Sequence, residues 1–290
     1  MGAEKTGETV FIRGMGPADL DVGMRLKAIP NWNQTRADWE AFLQLEPEGC
    51  FVAEVDGKVV ATATAIQYGL DLGWIGMILV DLEYRRRGIA TLLMQHSIDY
   101  LERNSCRCIK LDATAEGAEV YQRMGFEVEY QVERWRRDPG PLEKTDLPGL
   151  CPAREATLEG LRRSDFDVFG ADRTRLLRWY LHNGAPTGVV EREGRISGYG
   201  FGRAGSNAFQ IGPIVAADPG SASELVVGLL EQVSDQTVIV DLISHNTPAV
   251  ELFSSLGFSG FRVLKRMFRG RNLKPGRPLE VFSLSGFEYG

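Results

Sequence analysis

The feature that most constrains the fold is a weak internal repeat. Three segments of the first half recur in the second half, in the same order and at a nearly constant offset. The matched segments are residues 54–60 with 191–197, residues 75–80 with 211–216, and residues 118–126 with 250–258. Coincidence between two ordinary α/β domains can supply one such match. Three matches in register favour two copies of one α/β unit.

A stretch rich in proline and glycine separates the two copies. Between Asp138 and Pro152 the chain holds four prolines and two glycines, which interrupt helices and strands. We therefore predict a first domain over residues 1–138, a linker over residues 139–152 and a second domain over residues 153–290. With 290 residues in total, each domain is long enough to bury its own hydrophobic core.

Composition excludes several classes of protein. Apolar residues make up 43% of the chain and charged residues 25%, which is typical of a globular protein. The 39 acidic residues exceed the 33 basic ones, so nonspecific binding to nucleic acid is disfavoured. No apolar run approaches the roughly 18 residues of a membrane span. The four cysteines and three histidines match no metal-binding pattern, so we expect no metal, and buried reduced thiols in a cytoplasmic protein.

The spacing of apolar residues in the first copy predicts an α/β fold with a mixed sheet. Thr35, with Asp38 three residues later, predicts a capping box at the start of a helix. An Asp-Gly turn at residues 56–57 joins two apolar stretches and predicts a β-hairpin. Farther along, alternating and helical spacings follow one another. The predicted elements are strands at 51–55, 58–66 and 74–80, a helix from residue 89, a strand at 108–111, a helix at 115–124 and a strand at 128–135.

Residues 78–91 form a strand, a turn and the start of a helix, and the turn carries three consecutive arginines before Gly88. Helix N-termini present unpaired N–H groups and the positive end of the helix dipole. Such a site binds phosphate well, and the arginines add positive charge. The segment therefore predicts a pyrophosphate site. The alternative is a solvated basic turn before an ordinary helix.

Two motifs in the first half resemble those of the GNAT N-acetyltransferase family. The pattern RxxGxA at residues 85–90, behind an apolar strand and before an amphipathic helix, resembles the acyl-CoA-binding loop of that family. The pattern YxxxGF at residues 121–126 resembles its second motif. The resemblance covers residues 11–137 and, more weakly, the second half. It implies two tandem GNAT-like acyl-CoA N-acyltransferase domains.

The resemblance also implies a binding site for acetyl-CoA as co-substrate. Strand backbone would pair with the pantetheine arm, loop N–H groups would hold the pyrophosphate, and an N–H near Val80 would polarise the thioester carbonyl. Tyr121 would protonate the departing thiolate, although a core tyrosine on the same helix face is the alternative. The implied cofactor-binding residues are Ile78, Leu79, Val80, Arg85, Arg86, Arg87, Gly88, Ile89, Ala90 and Thr91.

The second half has lost these features. The repeat alignment places residues 218–224 opposite the arginine loop, with Glu224 at the position of Gly88, and Phe253 replaces Tyr121. The second half keeps Asn246 near a place where the family often has asparagine and the first half has Ala115. We predict that this half does not bind coenzyme A productively and has a structural or substrate-pocket role.

The implied reaction is transfer of an acetyl group from acetyl-CoA to a primary amine, by direct attack in a ternary complex. A pocket between the domains would favour a small-molecule acceptor, with no nucleic acid and no membrane as partner. Trp32, Trp39, Trp179 and Tyr180 are candidates to line it, although most fit a core better. Asp81 and Asp112 are candidate bases by position, but Asp112 suits a helix cap, and a water chain can also serve. The alternative function is a non-catalytic acyl-CoA sensor or protein-binding module on the same fold.

Overall fold

Within the residues that the structure describes, the first half supplies six strands and four helices. A computed structural model describes residues 9–142, 150–183 and 186–290, so residues 143–149 of the predicted linker lie outside the described residues. The elements of the first half are β1 (Val10–Gly14), α1 (Leu20–Ala28), α2 (Arg36–Leu45), β2 (Cys50–Val55), β3 (Lys58–Tyr68), β4 (Leu72–Val80), α3 (Ile89–Arg103), β5 (Cys108–Ala113), α4 (Ala115–Arg123) and β6 (Glu127–Arg137).

The second half repeats this order from α1 onward and adds one strand, β12. Its elements are α5 (Leu158–Phe169), α6 (Thr174–His182), β7 (Thr187–Arg192), β8 (Arg195–Arg203), β9 (Phe209–Ala216), α7 (Pro219–Glu231), β10 (Val238–Ile243), α8 (Thr247–Ser255), β11 (Ser259–Gly270) and β12 (Val281–Ser283). The predicted mixed α/β fold is confirmed. No helix among the described residues is both long enough and apolar enough to cross a membrane.

Local sequence explains where several elements begin and turn. The predicted hairpin turns at Asp56 and Gly57, both with positive φ (50° and 76°), as a tight two-residue turn requires. Helix α2 begins with a capping box, because the Thr35 N–H donates to Asp38 Oδ2 at 2.6 Å and the Asp38 N–H donates to Thr35 Oγ1 at 3.4 Å. These two local predictions are confirmed.

All twelve described strands belong to one sheet, and the two halves exchange their last strands. The order is β1-β2-β3-β4-β5-β11-β6-β10-β9-β8-β7, with β12 beside β9. Strand β11 of the second half lies between β5 and β6, and β6 of the first half lies between β11 and β10. The sheet is therefore continuous across the two predicted domains, and each half is completed by a strand of the other.

Two buried ion pairs join the exchanged strands to their new neighbours. On β6, Arg134 donates from Nε and Nη2 to the two oxygens of Asp241 on β10, at 2.7 and 2.8 Å. On β11, Arg266 donates in the same way to Asp112 on β5, at 2.9 and 2.8 Å. In each pair the two residues stand opposite each other in the strand register. The two contacts are related by the approximate twofold symmetry of the repeat.

The C-terminal tail, residues 281–290, packs inside the protein. Most of its residues are buried, and side-chain donors of other segments bind its carbonyls. Tyr68 Oη donates to Tyr289 O at 2.9 Å, Trp74 Nε1 to Phe287 O at 3.1 Å, and Arg173 Nη1 to Gly290 O at 3.2 Å. The C-terminal segment of the second half thus packs against β3 and β4 of the first.

The expectation of four buried thiols is wrong at one position. Cys50, Cys106 and Cys108 are buried, but Cys151 is exposed. Cys151 lies in the predicted linker and forms only an isolated bridge to Val189, so the sheet does not cover its side chain.

Candidate active site

Strands β4 and β5 separate and leave an opening in the sheet. Their parallel pairing is confined to residues 72–74 and 108–110. Beyond Trp74, the edge of β4 that faces β5 has no strand partner among the described residues. A bulge against β3 and a positive φ of 50° at Met77 bend β4 at this point. The predicted strand residues Ile78, Leu79 and Val80 lie along this opening.

The arginine loop follows β4 directly, and its own backbone orients two of its side chains. Arg85 Nε donates to Val80 O at 3.1 Å, and Arg87 Nη2 donates to Glu83 O at 2.7 Å. The Arg87 guanidinium also lies over the Tyr84 ring, 5.0 Å from its centroid. Arg86 is exposed. The loop therefore holds positive charge beside the end of β4.

Gly88 begins helix α3 in the left-handed region, with a φ of 83°, which favours glycine. The Leu92 N–H makes the first bond of the helix, to Gly88 O at 3.0 Å. Within the described parts of the chain, the N–H groups of Gly88, Ile89 and Ala90 have no acceptor. Unpaired N–H groups at a helix N-terminus beside arginines have the chemistry of an anion site.

A cavity of about 150 Å³ lies at the opening. The first half contributes Trp32, residues 75–78 of β4, the end of β5 and Tyr121 to its wall. The second half contributes Arg262, Leu264, Phe287 and Glu288. Of the four aromatic candidates, only Trp32 lines the cavity; Trp39 and Tyr180 are buried in the core, and Trp179 packs against Tyr180 with ring centroids 5.1 Å apart. Both halves therefore shape the pocket.

Tyr121 projects from α4 into this cavity. Its ring lies 6.1 Å from that of Phe126, and its hydroxyl makes no hydrogen bond to any residue that the structure describes. Burial raises the pKa of Tyr121 to about 12. The hydroxyl therefore keeps its proton at neutral pH and can donate it.

Neither candidate base is available as a free carboxylate. Asp81 accepts from Arg25 Nη1 at 2.5 Å, and this hydrogen bond lowers the pKa of the Asp81 carboxyl. The two carboxylate oxygens of Asp112 accept hydrogen bonds from Nε and Nη2 of Arg266. The prediction that Asp112 caps α4 is wrong, because Thr114 Oγ1 accepts the Gly117 N–H at 3.1 Å.

Sequence reasoning missed Glu288, which is buried and lines the cavity. One of its carboxylate oxygens accepts from Arg203, which also donates to Asp38 Oδ1 at 2.5 Å. The Glu288 backbone passes close to β4, since a Cβ on Gly76 would lie 3.3 Å from Glu288 O. No local pattern near the C-terminus indicates this placement.

The second half has an equivalent opening, but its own C-terminal segment fills it. Strands β9 and β10 pair only at residues 209–210 and 238–239. Strand β12 then pairs with β9, and the Leu284 N–H donates to Asp241 O at 2.8 Å. Asn246 Nδ2 fixes the segment by donating to Val281 O at 2.9 Å and Leu279 O at 3.1 Å. A small cavity of about 30 Å³ remains beside this segment, lined by Ile243, Val281 and Leu284 together with residues of both halves.

The loop of the second half is missing, which corrects the repeat alignment. Only Ala217 and Asp218 separate β9 from α7. Asp218, not Glu224, therefore stands where Gly88 begins α3, and its carboxylate accepts the Ser221 N–H at 2.9 Å. Glu224 lies within α7 and pairs with Arg192 at 2.6 Å. Phe253 is fully buried at the position of Tyr121.

This chain is similar to known proteins in sequence and in fold. Holothin acyltransferase of a Pseudoalteromonas species is 22% identical over 262 residues, 89% of this chain and 87% of its own. The uncharacterized N-acetyltransferase YitH of Bacillus subtilis is 25% identical over 206 residues, 70% of this chain and 72% of its own. A crystal structure of a Pyrococcus horikoshii protein, 23% identical, has the same fold with a TM-score of 0.86 over 100% of this chain and 99% of that one.

Family models match both halves. The model described as "Acetyltransferase (GNAT) family" matches residues 24–126. The model described as "Acetyltransferase (GNAT) domain" matches residues 161–283. With a domain of this kind in each half, the chain belongs to the GNAT family of acetyltransferases, as a member with two GNAT domains in tandem.

Proposed function

We propose that the first half transfers an acetyl group from acetyl-CoA to a primary amine of a small molecule. The amine attacks directly while both substrates are bound. The observation that carries this proposal is that the unpaired edge of β4 and the Tyr121 hydroxyl share one cavity. A chain that only bound an acyl group would not need a protonated hydroxyl at that place.

The residues of the first half fit acetyl-CoA. The free edge of β4 at residues 78–80 offers backbone groups to a pantetheine arm. The N–H groups from Gly88 to Ala90, with the loop arginines, suit a pyrophosphate, and Thr91 follows them on α3. When bound, acetyl-CoA supplies an acetyl thioester, a carbonyl that an amine can attack and a sulfur that leaves.

Tyr121 is the proposed general acid of this reaction. Its phenolic proton is held firmly, because burial raises its pKa to about 12. The hydroxyl has no partner within the described parts of the chain that would compete for its proton. Burial also disfavours the departing thiolate and raises its basicity, which favours proton transfer from the hydroxyl. Proton transfer from a positioned acid contributes about 10²–10⁴ in rate.

A small-molecule acceptor is supported by the shape of the cavity. Its wall comes from both halves, and Phe287 and Glu288 of the C-terminal tail stand across from β4. A cavity of about 150 Å³ admits a small amine more readily than a folded protein surface. We propose that the second half serves as this wall and binds no coenzyme A itself.

The deciding experiment replaces Tyr121 with phenylalanine in the full chain. We expect acetyl transfer to an amine panel, followed by mass spectrometry of the products, to fall by about 10²-fold or more. Coenzyme A binding, measured by calorimetry, should stay within about twofold, because the hydroxyl is not placed to hold the cofactor.

Tyr130→Phe is the matched control, since Tyr130 is a half-buried tyrosine of β6 that lines the smaller cavity and not the cavity at Tyr121. We expect that variant to keep its turnover. Equal loss of turnover in both variants would contradict the role of Tyr121. Binding of coenzyme A without turnover of any amine by the parent chain would favour the acyl-CoA sensor.

A further inference from the structure

One arginine in the cavity differs from the buried arginines of the molecule. Arg262 on β11 lines the cavity and is half-buried, yet it has no ion pair or hydrogen bond within the described ranges. Its guanidinium lies 5.6 Å from the centroid of the Trp32 ring and 6.0 Å from that of Phe287. Aromatic rings hold a guanidinium through its charge and leave its N–H donors unused.

The other arginines of this region have partners for those donors. Four buried arginines each bind at least one carboxylate, namely Arg134, Arg173, Arg203 and Arg266. A fifth, Arg137, binds the carbonyls of Leu256, Gly140 and Pro141. This protein therefore supplies partners where an arginine is buried for structural reasons, and Arg262 is the exception among the described residues.

The surroundings of Arg262 make its lack of a partner costly. Burial lowers the pKa of Arg262, and the charge of Arg134 lowers it further, against the opposing effects of Asp241 and Glu288. A partly desolvated cation with unused donors is unfavourable unless an anion meets it. A bulge between Gly260 and Arg262, against β6, breaks the regular register of β11 at this residue.

We infer, on the basis of the proposed function, that the acceptor amine also carries a carboxylate and that Arg262 binds this carboxylate. The planar guanidinium offers two parallel N–H donors to the two carboxylate oxygens. The amine end then lies toward β4 and Tyr121, where the transfer takes place. Trp32 and Phe287 would hold the guanidinium between them and limit its rotation. Amino acids and related amines with a free carboxylate form the substrate class.

The experiment compares amines that differ only in the carboxylate. Lysine with cadaverine, tyrosine with tyramine, and phenylalanine with phenethylamine are such pairs. Acetylated products would be quantified by mass spectrometry with the purified full chain. We expect a kcat/KM at least about 100-fold higher for the member with the carboxylate, as expected for a charge-assisted bidentate contact. Comparable kcat/KM values within all pairs would overturn the inference.

Arg262→Gln assigns the preference to this residue. The variant should lose about 100-fold in kcat/KM for the carboxylate-bearing amine and change little for its partner amine. Arg262→Lys should restore part of the loss, because a point charge remains without the planar fork. Arg136→Gln is the control, since Arg136 is a partly exposed arginine on the adjacent strand β6 that does not line the cavity.

The outcomes separate this inference from the proposed function. Equal losses for both members of a pair in Arg262→Gln, with folding unchanged, would overturn the role of Arg262. Binding of coenzyme A without acetylation of any amine of the panel would also overturn the acceptor class, and the cofactor site would stand. Absence of coenzyme A binding by the parent chain would overturn the proposed function itself.

Discussion

The two halves contain the same opening between two parallel strands, but they differ in what occupies it. In the first half, β4 diverges from β5 beside a cavity of about 150 Å³ that reaches Tyr121. In the second half, β12 lies beside β9 in the corresponding gap, and only a cavity of about 30 Å³ lies beside this segment, at Val281 and Leu284. The comparison teaches that this fold opens its sheet in both copies, and that the C-terminal tail fills one opening and borders the other.

The same tail serves both sides of this comparison. Its first part, from Val281 to Leu284, fills the opening of the second half, and Asn246 fixes it there. Its last part, with Phe287 and Glu288, forms the wall of the cavity in the first half. Loss of ligand space in one half and construction of a pocket in the other are therefore two effects of one segment.

The largest effect is expected when the tail that distinguishes the two openings is removed. Ending the chain after Glu280 removes Val281, Phe282, Leu284 and Tyr289, all of them buried. At about 1.5–3 kcal/mol for each large apolar side chain, the loss is about 6–12 kcal/mol. It rivals the whole stability of about 5–15 kcal/mol of a typical protein. Circular dichroism and gel filtration should show an unfolded or aggregated chain.

Leu279→Ala is the control for this truncation, because Leu279 precedes the tail and is 59% exposed. Its free energy of unfolding should stay within about 0.5 kcal/mol of the parent. A folded truncation that bound two equivalents of coenzyme A would show that the tail covers a competent second site.

The next prediction tests whether the ion pairs of the two exchanged strands contribute equally to the free energy of unfolding. Arg134→Met and Arg266→Met each leave a buried aspartate without its partner, Asp241 and Asp112 respectively. We expect each variant to lose about 3–5 kcal/mol in the free energy of unfolding, measured in urea. Similar losses would confirm that the two pairs are equivalent. A loss of stability in only one variant would show that only one of the two exchanged strands depends on its ion pair.

A smaller effect is expected from exchanging the residue types at the N-termini of α3 and α7. Gly88→Ala disfavours the conformation with a φ of 83° by about 1–2 kcal/mol. The free loop should relax, and because it must regain this conformation to bind, coenzyme A should bind about 5- to 30-fold more weakly in calorimetry. Asp218→Gly should cost only a few tenths of a kcal/mol in stability. It should gain no coenzyme A binding, because the loop itself is missing. Binding of a second equivalent by Asp218→Gly would contradict this account.

The smallest expected effect is an absence of change with pH. As the proposed general acid, Tyr121 would donate its proton only while protonated, and burial raises its pKa to about 12 from the ordinary value of 10. The kcat at saturating substrates should therefore not fall between about pH 8 and pH 10, and should decline only as the pH approaches 12. A decline centred near pH 10 would mean that the hydroxyl is not shielded from water.

Several features were predicted because neighbouring residues determine them. The Asp56-Gly57 hairpin, the capping box at Thr35 and the helix that begins after Gly88 depend on backbone preferences and on bonds within a few residues. The strand, loop and helix of residues 78–91 were recognised for the same reason, since they are contiguous. Their role in binding acetyl-CoA stays a prediction.

Two predictions were wrong because they were inferred from positions along the chain, whereas loop lengths and contacts between distant residues decided the outcome. The alignment placed Glu224 opposite Gly88, because it assumed equal connections after β4 and β9, whereas α7 begins directly at Pro219. Asp112 was interpreted as a cap or a base, but its partner Arg266 comes from the exchanged strand β11. No local sequence pattern indicates that Arg266 and Asp112 are in contact.

The sequence by itself determined the repeat, the α/β class, the strand-loop-helix of the first half and the loss of Tyr121 from the second. Each of these depends on periodicity or on residues close in the chain. Tertiary structure alone decided the strand exchange, the tail that fills one opening, and the meeting of Arg262 and Glu288 with β4 in one cavity. Those contacts join residues far apart in the chain, and their stability comes from desolvation and pairing that exist only once the sheet has formed.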